Sequence, residues 1–201
     1  MKAKNGKSTM TKYSQIFILT LLVYWLAGCA PSMAELAEEN PEMVIAREKE
    51  LLTGEPPSEE IIAVLINAHN NLGLTSLKGK DYKEAERQFN ASLTLDHKNK
   101  IAKYGLAMIE GHRLFNKGSQ SALWDSLEKF GQAAYYNPAD GEPHYWMARA
   151  YEKKDDGDFD LIIETYEKAL KGDLSYELKT DTNTRLAEIK KRKKTYEDFW
   201  K

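Results

Sequence analysis

From Ser58 to the C-terminus apolar residues return at steps of three and four, the spacing that lines one face of successive amphipathic helices. The last predicted helix covers roughly 176–200, with Leu178, Leu186, Ile189, Tyr196 and Trp200 as one apolar stripe. Ahead of Ser58 the pattern changes. Four of the six prolines, Pro31, Pro41, Pro56 and Pro57, fall within 30–57, which reads as a tether. Inside it, Asn40-Pro41 has the form of an N-cap followed by proline at the first helical position, and Gly54 that of a stop. A short helix is therefore expected over 41–53, with Met43, Val44, Leu51 and Leu52 as its apolar side. Whether it packs on the main domain or only spaces it is left open by the pattern. Farther upstream, Ile16 to Ala27 is a run of mostly apolar residues, short of the ~20 that a bilayer-spanning helix needs.

The helical region is self-similar. One unit has His69-x2-Leu72-Gly73-x2-Ser76, then Asp81-Tyr82, Ala85-x3-Phe89 and Ser92. The next has Lys103-x2-Leu106-Ala107, then Ser126-x3-Phe130, Ala133 and Asn137-Pro138. A third has His144-x2-Met147-Ala148-x2-Tyr151, then Ile162-x3-Tyr166 and Ala169. These units resemble the tetratricopeptide repeat, whose signature of roughly 34 residues is W-x2-L-G-x2-Y, then A-x3-F, then P. The resemblance implies an all-α fold, a solenoid of three antiparallel helix pairs over 58–176 with a C-terminal capping helix over 177–201.

The signature has a physical basis. Helices that cross closely need small side chains at the crossing, here Gly73, Ala107 and Ala148 on the first helices and Ser92, Ala133 and Ala169 on the second. Phe89, Phe130 and Tyr166 would fill the layer between one unit and the next, because no unit buries its apolar face alone. The spacing departs from the norm, with 41 residues from Phe89 to Phe130 and 36 from Phe130 to Tyr166. The extra length is expected near Gly111–Gln120 and at Asp155–Asp160. The leading Trp is absent from every unit, and Ala85 is matched by Ser126 and then Ile162.

Charge sharpens the reading of the N-terminus. Residues 1–28 carry Lys2, Lys4, Lys7 and Lys12 and no acid, in a chain of formal net charge −2. A basic start, a short apolar run and then small residues form the pattern of a secretory signal peptide. Leu26-Ala27-Gly28-Cys29 resembles the lipobox of bacterial lipoproteins. That resemblance implies that 1–28 is removed, that the Cys29 thiol receives a diacylglyceryl group through a thioether, and that 29–57 is a lipidated tether. Ala30 follows the cysteine where Asp would retain the protein at the inner membrane. The family's sorting rule therefore favours the outer membrane, facing the periplasm, in an organism that has one. Cys29 is the only cysteine, so no internal disulfide forms.

Other chemistry is sparse along the chain. His69, His97, His112 and His144 have no metal-ligand spacing, and there is no phosphate-cradling loop or nucleophile motif. Asp156-x-Asp158-x-Asp160 with Glu164 and Glu167 follows a calcium-loop spacing, but Leu161 stands where the sharp turn needs glycine. An acidic inter-helix loop is the expectation there. The run Lys190-Lys191-Arg192-Lys193-Lys194 reads as a solvated face near a helix C-terminus. No basic face marks the chain as a nucleic-acid binder. No catalytic constellation, small-molecule substrate or cofactor is expected beyond the covalent lipid on Cys29.

Function is then expected in a surface. In the repeat family the concave face takes the second, fifth, ninth and twelfth positions of each first helix. Carried over, these are Asn67, Asn70, Leu74 and Leu77, then Ile101, Tyr104 and Met108, then Glu142, Tyr145, Arg149 and Glu152. Among them Asn67, Asn70, Leu74, Tyr104, Met108, Tyr145, Arg149 and Glu152 are the expected protein-binding residues, because amides bond a peptide backbone and aromatics and Met supply contact area. The family's clamp for C-terminal carboxylates is not matched, since Asn70 and Leu74 replace its Lys and Asn. The expectation is a lipid-anchored envelope scaffold that captures protein partners or peptide segments. A ligand- or calcium-responsive envelope sensor is the alternative, and self-association of the solenoid stays open.

Overall fold

The computed structural model describes residues 31–53, 56–154 and 157–200. Its regular elements are α-helices, numbered here in chain order. They are α1 (Met33–Glu39), α2 (Pro41–Ala46), α3 (Glu48–Leu51), α4 (Glu59–Lys78), α5 (Tyr82–Leu95), α6 (Lys100–Lys117), α7 (Gln120–Tyr136), α8 (Glu142–Lys154), α9 (Phe159–Lys171) and α10 (Tyr176–Phe199). Each of α4 to α9 packs on the next, so α4/α5, α6/α7 and α8/α9 form three stacked antiparallel pairs and α10 closes the stack. This is the expected tetratricopeptide-like solenoid. None of the described helices is long and apolar enough to cross a membrane.

Short polar residues set where the helices begin. Ser58, Asp81, Asn99, Ser119, Asp158 and Ser175 each accept a hydrogen bond from the amide three residues on. Such a cap satisfies one orphan donor and contributes about 1 kcal/mol. At α8 the role falls to Asp140, whose Oδ1 accepts from the Glu142 amide at 2.8 Å. The end of α9 closes back on the start of α8: Gly141 N donates to Asp173 O at 2.9 Å, and Asp173 N to Ala139 O at 2.8 Å. A Cβ on Gly141 would stand 2.2 Å from Ala169 O, and one on Gly172 would stand 2.6 Å from Gly141 N. Two glycines let these backbones touch.

Phe89, Phe130 and Tyr166 are fully buried between layers. Around Phe130 the register differs from expectation. A Cβ on Gly73 would lie 2.5, 2.7 and 2.9 Å from Cε1, Cδ1 and Cζ of Phe89, and one on Gly111 meets the same three atoms of Phe130 at the same distances. Gly111, not Ala107, is therefore the counterpart of Gly73, a displacement of one helical turn. Phe89 is further pressed from the next unit by Gly105, whose Cβ would come within 2.1 Å of its ring. The extra length expected near 111–120 is mostly helical. Helix α6 runs on to Lys117, left-handed Gly118 (φ 70°) ends it, and Ser119 caps α7.

Residues 33–51 are packed, and the expected helix over 41–53 is broken at Arg47, with α1 added upstream. Ser32 and Glu35 start α1 with a reciprocal capping box, whereas Asn40 makes no side-chain cap to α2. Ala37 and Val44 are buried against Val64, Leu65 and Ala68 of α4. Glu48 then reaches His69 Nε2 at 3.2 Å, while His69 Nδ1 meets Gln88 Oε1 at 2.7 Å. Of the two alternatives left open for this segment, residues 33–51 take the packed one and cover α4.

The apolar stripe of α10 also departs from its expected extent. Leu186 and Ile189 are buried, but Tyr196 is 55% and Trp200 69% exposed. Lys190 bonds Glu167, Lys193 bonds Asp160, and Tyr196 meets Phe159, the first residue of α9. The last turn of α10 overshoots the end of its neighbour.

Candidate functional site

The corrected register moves the inner positions of unit two one turn toward the C-terminus of α6. Gly105, Met108, His112 and Phe115 replace Ile101, Tyr104 and Met108 in those places. His112 does line a cleft of about 480 Å³ shared by all three units and α10. Leu74 and Leu77 come from α4, Lys78 and Lys80 from its end, and Tyr82 from the start of α5. Tyr104, His112 and Asn116 come from α6, Glu142 and Trp146 from α8, and Ser175 and Leu178 from the start of the capping helix. A second cleft of about 400 Å³, with Lys100, Ile101, Tyr136 and Asn137, shares Leu74 and Tyr104 with the first.

An aromatic cluster forms one wall. Tyr82 stacks on His112 with centroids 5.6 Å apart, and His112 meets Trp146 edge-on at 4.6 Å. Burial, with the Lys80 ammonium adding to it, pushes the His112 imidazole down to about 4, so it is neutral at physiological pH. Trp146 donates its indole N–H to Glu142 at 3.0 Å. Burial still raises the Glu142 carboxyl, with the nearby Asp140 charge acting in the same sense. Tyr104 donates to Asp140 Oδ2 at 2.5 Å, and burial above all raises its phenol. Lys80 has a φ of 63° although Gly79 beside it is right-handed. A non-glycine residue there costs roughly 1 kcal/mol or more, so a cation is held in a left-handed conformation at the cleft.

The expected binding residues divide. Leu74 is exposed and stands where the two clefts meet, and Tyr104 forms part of both walls. Asn67 is half-buried and lines neither cleft. Asn70 and Met108 are buried, 3% and 1% exposed, so packing rather than presentation occupies them. Tyr145, Arg149 and Glu152 are taken up by α10. Tyr145 donates to Asp181 and receives from Arg149, Arg185 bonds both Asp181 and Glu152, and Tyr166 donates to Glu152. A helix whose bonds to Tyr145 and Glu152 span 36 and 33 residues of sequence covers them, which inner-face positions alone do not reveal. Tyr82 on α5 and Trp146 on α8 hold none of the four inner-face positions of a first helix, and His112 is absent from the expected set because the register of unit two lies one turn away. The signal for it was Gly111, the second small residue on α6.

The acidic stretch has other occupations. Asp158 Oδ1 caps α9, Asp160 pairs with Lys193, Glu164 with Lys168 and Glu167 with Lys190. Asp156 lies outside the described residues. Among the described residues no group of three or more His, Cys, Asp or Glu is placed to hold a metal ion. Cys29 and the whole leader, 1–28, also lie outside the described residues.

Comparison with protein families agrees with this geometry over one repeat. A tetratricopeptide repeat model matches residues 66–99, the span of the first unit. No curated protein matches the chain. Among solved structures the chain is similar to "MamA 41-end from Desulfovibrio magneticus RS-1", with 17% identity and a TM-score of 0.44 over 84% of this chain and 89% of that one.

Proposed function

We propose that this chain is a non-catalytic adaptor of the bacterial envelope, anchored by lipid on Cys29, which captures an extended segment of a partner protein in the cleft between its three units. The observation that carries the capture is the cleft itself: an apolar floor of Leu74, Leu77 and Trp146 beside a neutral His112, rimmed by Lys78 and Lys80. An apolar side chain of the partner would enter the floor while an acidic neighbour meets the lysines. The left-handed Lys80 supports this reading, because strain of this kind is tolerated where a side chain must be aimed. The anchor and the envelope location rest on the lipobox resemblance of Leu26 to Cys29.

The test is crosslinking in cells of the native organism, followed by pull-down of the tagged full-length protein and mass spectrometry. The Leu74→Glu/Asn116→Arg variant charges and narrows the cleft at two exposed positions. Enrichment of an envelope complex by the wild type and its loss with the variant is the expected result. Identical profiles would remove the cleft from consideration. Cys29→Ser tests the anchor separately, and it should release the protein from the membrane fraction.

A further inference from the structure

We propose that the last turn of α10 is a second membrane contact, seating Tyr196, Phe199 and Trp200 in the interface of an anionic lipid bilayer. This inference does not depend on lipidation of Cys29. The three aromatics are 55%, 78% and 69% exposed and touch one another, with Tyr196–Trp200 centroids 6.1 Å and Phe199–Trp200 centroids 5.3 Å apart. With Phe159, Glu188, Lys191, Arg192 and Thr195 they bound an open cavity of about 790 Å³ at the end of the solenoid.

Charge selects the occupant. Five consecutive cations, Lys190 to Lys194, precede the aromatic turn. Lys190 and Lys193 face α9, where Glu167 and Asp160 pair with them, and Lys193 also lies 3.6 Å from Glu197. Arg192 lies over the Phe159 ring at 5.7 Å, and both it and Lys191 line the aromatic cavity. Lys191 and Lys194, three residues apart, share the outer side of the helix. Glu188, Glu197 and Asp198 are the acids nearby, and over 190–200 the basic residues outnumber the acidic ones.

The shape of the patch argues for lipid over a docking helix. A helix in a groove needs apolar positions over several turns. Ahead of the basic run, α10 exposes Glu177, Lys179, Thr180, Asn183, Thr184, Ala187 and Glu188, and its other exposed aromatic, Tyr176, stands at the opposite end of the helix, so the aromatic patch is confined to about one turn. Aromatic rings with cationic side chains that reach past them are the make-up of a membrane-interface anchor. Each basic residue near an anionic surface adds about 1 kcal/mol of attraction.

The test reconstitutes the full chain into vesicles of phosphatidylcholine alone or mixed equally with phosphatidylglycerol, both containing a doxyl-labelled lipid that quenches tryptophan. Subtracting the signal of Trp200→Phe isolates Trp200 from Trp25, Trp124 and Trp146. Trp200 should be quenched severalfold more on anionic than on neutral vesicles. The effect should disappear at high salt and in Lys191→Glu/Lys194→Glu, whose circular dichroism stays native. Equal quenching on both vesicles, or none on either, overturns the proposal. Shielding of Trp200 that grows with protein concentration and needs no vesicles overturns it in favour of a second copy on the same patch.

Discussion

Tyr145 donates its hydroxyl to Asp181 Oδ2 over 2.7 Å, which ties the first helix of the third unit to the capping helix. Arg149, Arg185, Glu152 and Tyr166 extend that bond into one network between α8, α9 and α10. The residues expected to bind a partner in this unit are the ones that hold the cap. Removing only the hydroxyl in Tyr145→Phe should cost about 1 kcal/mol of stability. Tyr145→Ala, which also empties a position only 3% exposed, should cost about 3–5 kcal/mol. Urea unfolding measures both, and equal small losses would mean that the cap is not held through this residue.

Gly111 offers a test of the register. Its Cβ would stand 2.5 Å from the ring of Phe130, whereas a Cβ on Gly131 in the next helix meets nothing within 4 Å. Gly111→Ala should destabilise by about 1–3 kcal/mol through overpacking. Gly131→Ala should stabilise by up to about 1 kcal/mol, because alanine is the better helix former. If Gly111→Ala matched Gly131→Ala in thermal melts, the one-turn displacement would be refuted.

His112 predicts an acid limb in the stability curve. Its folded-state value of about 4 lies below the ordinary 6.5. Between those two pH values the unfolded chain takes up a proton that the folded chain refuses. Stability therefore falls as pH drops through this window, by about 3 kcal/mol from this residue. The raised Glu142 carboxyl works in the opposite sense and offsets part of the loss. His112→Phe should flatten the limb between pH 6.5 and 4, which chemical denaturation at a series of pH values would reveal.

Val44 separates a packed N-terminal cover from a loose spacer. It is 1% exposed, against Val64, Leu65 and Ala68. Val44→Asp places an unpaired charge there and should lower stability by about 3 kcal/mol or more. Exposed Met43→Asp is the matched control and should change little. Indifference of the melting temperature to Val44→Asp would restore the spacer reading.

Helix periodicity and the recurring small and aromatic positions sufficed for the all-α solenoid, its three pairs and the buried trio Phe89, Phe130 and Tyr166. Those features depend on residues close in sequence, where a step of three or four, or an A-x3-F spacing, states the geometry directly. The cleft was legible only in part. Leu74 and Tyr104 are in it, but Ala107 and Gly111 are both small, and only the Phe130 ring distinguishes which of them faces it. The occupation of Tyr145, Arg149 and Glu152 by α10, and of α4 by Val44, belongs to contacts between distant segments. Local pattern says that a face is apolar or polar. Packing decides whether a neighbouring helix or a partner covers it, because burial is a property of the assembled layers rather than of any single helix.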